Sequence, residues 1–120
     1  MAAVGFGVLT VLVGTLILAD VSGPKAAAPP GRLLGGHVFL ALGAVVALGV
    51  GAVVADLTVS CVALVGLVGA SLFGLAAWRR TAQRARTDRL KAPSNAVLVM
   101  HGLAATATVI LASAAVGHLL

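Results

Sequence analysis

Two histidines, His37 and His101, stand where ionisable side chains are costly, each about one and a half turns into a long apolar run. The chain has no glutamate, and Asp20, Asp56 and Asp88 fall in or beside the breaks between apolar runs, so no carboxylate inside a run can pair with either imidazole. Two neutral imidazoles facing each other suit ligation of haem iron from both sides, the electron-transfer arrangement that leaves no coordination position open. If both runs are helical, the face of His37 continues through Leu40, Ala41, Ala44, Leu48 and Gly51. That of His101 continues through Ala104, Ala105, Thr108, Ala112 and Ala115, and these faces leave room for a porphyrin.

The same residues admit other chemistry. Each histidine can sit at a headgroup boundary, hydrogen-bonded to a backbone carbonyl or to water, or can serve another metal or a proton relay. Copper would favour Met100, His101 and Cys61 by ligand type. Cys61, however, lies near the opposite end of its run from the depth of Met100 and His101. His118 stands alone at the chain end, as a terminal interfacial residue. Ser60, Ser71 and Ser113 have no histidine and carboxylate arranged around them, so no hydrolytic centre is legible. Cys61 is the single cysteine, cannot form an internal disulfide, and is expected to be a small buried packing residue.

The elements that must position the histidines are membrane spans. Of 120 residues 61% are hydrophobic and 9% charged, and the mean hydropathy is +1.17, a composition that excludes an ordinary soluble domain. Apolar runs at 3–19, 33–55, 57–78 and 95–117 each suffice to cross a core of about 30 Å. The expected fold is therefore an all-α membrane protein, a single domain over 1–120, with four transmembrane helices arranged as two hairpins. Gly23-Pro24 and Pro29-Pro30-Gly31 break the chain after the first run, and Pro93-Ser94 resets it before the fourth, where Ser94 or Asn95 can cap. The break at 56–58 is so short that the second and third helices must be antiparallel neighbours, and the third can continue as helix to about Arg86.

Charge supplies the orientation. All eight basic residues lie in two stretches: Lys25 and Arg32 in 20–32, and Arg79, Arg80, Arg84, Arg86, Arg89 and Lys91 in 79–94. Short loops rich in Lys and Arg stay cytoplasmic, so both loops are expected there, in a plasma membrane, with both termini outside. Topology accounts for the net charge of +5 without nucleic acid. The six basic residues of the second loop are also placed to meet anionic lipid headgroups, with Trp78 beside them at the interface.

Each half of the chain reads span, basic proline-containing loop, span, and each second span carries its histidine at the same depth past the loop. Both halves enter the membrane in the same sense, so the plan is a parallel repeat. Small residues dominate all four runs and permit close helix approach. Gly36 before His37 and Gly102 after His101 are singled out, because a flat ligand held by the histidines needs missing side chains beside it.

A histidine early in the second and fourth of four spans, next to glycine (GGH at 35–37, HG at 101–102), resembles small bacterial four-helix membrane proteins of the b-type cytochrome kind. The resemblance covers the whole chain as a layout. It implies one haem b held by His37 and His101, with electrons exchanged with quinone or a partner membrane subunit, since no second histidine pair exists for the other leaflet. The competing expectation is a non-catalytic accessory subunit whose glycine and alanine faces pack onto a larger complex, or onto a second copy as a homodimer.

Overall fold

A computed structural model describes residues 1–20 and 24–120, apart from the side chains of Asp20 and Leu119. Gly23, expected to act as a helix breaker, lies outside the described residues. The chain forms four helices, α1 Ala2–Asp20, α2 Gly31–Val54, α3 Leu57–Thr87 and α4 Asn95–Leu119, all long and apolar enough to cross a membrane. At 1.5 Å per residue α2 is about 36 Å long, against a hydrocarbon core of about 30 Å. Helix α3 is longer, about 46 Å. Its last turns run past Trp78 through the arginine-rich stretch, with Arg84 and Arg86 in the final turn, where positive charge complements the helix dipole.

Local chemistry fixes the ends. Ala55 closes α2 in the left-handed region (φ 50°), with its N–H donating to the Gly51 carbonyl. Asp56 then caps α3, its carboxylate accepting from the Val59 N–H at 2.9 Å. With only Ala55 and Asp56 between them, α2 and α3 are antiparallel neighbours, as the short break required. Ser94 occupies the N-cap of α4. The two basic loops meet at one end of the bundle: the Lys91 N–H donates to the Lys25 carbonyl at 2.8 Å and the Ala27 N–H to the Lys91 carbonyl at 3.0 Å. Arg84 adds a bond to the Ala28 carbonyl. All basic residues thus gather at this basic end, and Met1 lies near the α2–α3 turn at the other.

The closest helix pairs are α2 with α3 and α1 with α4, while α1 with α2 and α3 with α4 touch less. The bundle is therefore two layers, α2/α3 and α1/α4, each made from one helix of each half of the chain. Small residues set this pairing. A Cβ on Gly51 would stand 2.7 Å from Ser60 Oγ, and one on Gly66 3.1 Å from Ala44, so α2 and α3 touch backbone to backbone.

The packed core, Ala3, Ala44, Leu48, Ala63, Leu67 and Ala112, lies between the layers toward the terminal end. The groove expected along Ala44, Leu48, Ala104, Thr108 and Ala112 is closed there, because these side chains are buried against the facing layer. Between the histidines and the basic loops the buried helical residues among those described are Ala77, Thr81 and Ala85, all on α3. Cys61 corrects its expectation. It is exposed on the outward side of α3.

Candidate functional site

Each histidine stands six residues into its helix, His37 from Gly31 and His101 from Asn95, so both lie at one depth, about 9 Å from the basic ends of α2 and α4. Helices α2 and α4 are diagonal partners, yet the two rings meet across the bundle, with centroids 5.7 Å apart and planes at 71°, edge to face. Among the described residues no third histidine, cysteine or carboxylate joins them.

Both rings are held in the same way. Nδ1 of His37 lies 2.7 Å from the Ala70 carbonyl oxygen on α3, and Nδ1 of His101 lies 3.1 Å from the Thr10 carbonyl oxygen on α1. A carbonyl only accepts, so each Nδ1 carries the hydrogen and donates it, leaving Nε2 of the neutral ring as the lone-pair nitrogen. Each ring also lies on a glycine four residues past its acceptor. A Cβ on Gly74 would be 2.9 Å from both Cε1 and Nδ1 of His37, and one on Gly14 would be 3.3 Å from Cε1 of His101. Both hydrogen bonds stay within a layer, α2 to α3 and α4 to α1, so the seam between layers passes between the two imidazoles.

These contacts reveal a pseudo-twofold relation that the loop pattern only suggested. Residues of α1 match those of α3 sixty positions on (3 with 63, 7 with 67, 10 with 70, 14 with 74), and 3, 63, 7 and 67 are all buried. Residues of α2 match those of α4 sixty-four positions on (37 with 101, 44 with 108, 48 with 112), and the last two pairs are buried. The hydroxyl of Thr108 marks the one polar departure in this core. It donates to the Ala104 carbonyl at 2.8 Å and stands 3.3 Å from the Thr10 hydroxyl.

The glycines expected beside a ligand have other surroundings. A Cβ on Gly36 would strike the Phe73 ring at 2.8 Å, so Gly36 seats an aromatic side chain of α3, and nothing lies within 4 Å of a Cβ on Gly102. The glycines under the imidazoles are Gly14 and Gly74, in the partner helices. A glycine recurring at one depth in the first and third spans was the available signal, and only the helix pairing gives it meaning. Met100 is exposed, and Cys61 is on the outer face of α3, so no copper set forms. Arg79, Arg80, Arg84, Arg86, Arg89 and Lys91 are exposed around the basic end.

His37 and His101 are the residues that would hold a metal-centred planar group, each with its Nδ1–H already donated to a backbone carbonyl and Nε2 left as the ligating nitrogen. Ligating histidines characteristically donate their other N–H to a carbonyl or carboxylate, as both do here. Comparison with protein-family models, with curated proteins and with solved structures finds no match.

Proposed function

We propose that the chain is an electron-transfer protein of the membrane that holds one b-type haem between His37 and His101 and exchanges electrons with quinone or a partner subunit. The observation that carries this reading is the matched pair of Nδ1–carbonyl bonds, which leaves Nε2 as the lone-pair nitrogen of two rings that belong to different layers and lie 5.7 Å apart. A bound haem, held by His37 and His101, would supply reversible one-electron iron chemistry. The protein's part is to fix each ring's tautomer and tilt from the opposite half of the chain and to exclude water with the apolar core on the terminal side. The basic loops belong on the cytoplasmic side of the plasma membrane, with both termini outside and the six basic residues of 79–91 among anionic headgroups.

The test is a visible spectrum of protein expressed with haem supplied, oxidised and then reduced with dithionite. A sharp reduced α band, lost in His37→Ala and in His101→Ala, is the expected result. A featureless spectrum removes the cytochrome reading. It would favour the second reading, an accessory membrane subunit or homodimer, for which the specific support is that Gly35, Gly43 and Gly102 are open on the outer faces of α2 and α4. That reading predicts a colourless protein recovered in a larger complex.

A further inference from the structure

We propose that the cavity between α3 and α4 at the basic end is the binding site for the head group of a lipid-soluble quinone. The cavity holds about 270 Å³ and is lined by Trp78, Ala85 and Arg86 of α3, Leu90 of the following loop, and Asn95 and Leu98 of α4. Its place follows from helix geometry. Leu98 precedes His101 by three residues and Trp78 follows Gly74, the glycine under His37, by four, a rise of about 4.5 Å and 6 Å. The near edge of the cavity is thus about one turn from both halves of the histidine site, on the side of the basic loops. It lies in one of the two less intimate helix seams.

The lining selects the ligand class. Leu90, Leu98, Ala85 and the indole of Trp78 supply apolar lining. Arg86 and Asn95 supply N–H donors at its polar edge, and among the described residues neither side chain is engaged in a hydrogen bond within the protein. A quinone ring is flat and neutral and carries two carbonyl acceptors, which matches this set. A phosphate-bearing headgroup matches less well. Of the six basic residues at 79–91 only Arg86 lines the cavity, whereas an anion site gathers several cations. The choice of ligand rests on the electron-transfer reading, but the cavity and its test do not require haem.

Trp78 is the single tryptophan and the chain has no tyrosine, so the tryptophan fluorescence comes from one residue, on the wall of this cavity. Protein expressed without haem supply, in nanodiscs of phosphatidylcholine, is titrated with a benzoquinone bearing one isoprene unit. Saturable quenching of Trp78 is expected, with the half-saturating concentration raised about tenfold or more in the Arg86→Gln/Asn95→Leu variant. Ala82→Leu, which narrows the same cavity without touching either donor, should weaken binding as well. Quenching that rises linearly and is equal in all variants overturns the proposal. So does saturation abolished when phosphatidylglycerol replaces phosphatidylcholine, which would identify an anionic headgroup as the occupant. A colourless protein that still quenches saturably would remove the haem reading and keep this site. A haem-bearing protein with only linear quenching would do the reverse.

Discussion

Replacing Gly74 with alanine puts a methyl group 2.9 Å from both Cε1 and Nδ1 of His37. Carbon atoms rest at about 3.5 Å or more, so the ring must retreat by about 0.6 Å, since α3 is pinned against α2 and cannot move away. The His37 Nδ1 to Ala70 carbonyl distance is 2.7 Å, and a shift of that size takes it to or past the practical limit of about 3.2 Å. Loss of a carbonyl that orients a ligating histidine typically costs about 10–100-fold in metal-site affinity, or about 1.4–2.7 kcal/mol. Gly14→Ala is the internal comparison. Its methyl group would stand 3.3 Å from Cε1 of His101, which a displacement of about 0.2 Å relieves, so a loss within about threefold is expected. Gly102→Ala, with nothing within 4 Å, should be silent. The assay is haem titration of the purified protein followed by Soret absorbance, with thermal unfolding in detergent alongside to detect global damage. Equal affinities for Gly74→Ala and the parent protein, or a larger loss in Gly102→Ala than in Gly74→Ala, would refute the reasoning.

Three further outcomes follow from packing and end geometry. Gly51→Ala forces a methyl group to 2.7 Å from Ser60 Oγ and 3.3 Å from Ser60 N, and should destabilise the bundle by about 1–3 kcal/mol in a reversible unfolding assay, whereas Gly43→Ala should be neutral. Ala55→Gly removes a Cβ from a left-handed residue at φ 50° and should raise stability by up to about 1 kcal/mol, read as an upward shift in Tm. Thr108→Val deletes a hydroxyl that reaches Thr10 across the helix pair, and should cost about 0.6 kcal/mol, the usual scale for hydrogen bonds between membrane helices, without disturbing a haem spectrum.

The four helices were legible because a run of apolar residues longer than a bilayer core is an unambiguous signal, and their ends agreed to within a few residues with the Pro, Gly and Asp signals. The extension of α3 to Thr87 also followed from helix-forming residues with no breaker before Asp88. The shared depth of His37 and His101 could be counted from the loops. What could not be read was which helix each imidazole leans on. Composition cannot order the helices around a bundle when every face is Ala, Val, Leu and Gly, so the roles of Gly14 and Gly74 emerged only with the layers. Cys61 misled for a related reason: the rule that thiols are buried is calibrated on water-soluble proteins, and α3 turns that side outward.

The crossed hydrogen bonds make each half of the chain the custodian of the other's histidine. His37 in the first half is tethered by α3 of the second, and His101 in the second by α1 of the first. Neither tether can form within one half of the chain. After α1 and α2 emerge, His37 has no acceptor until α3 enters, and His101, the last of the pair made, finds Thr10 already waiting. Both rings are held only once all four helices are in place.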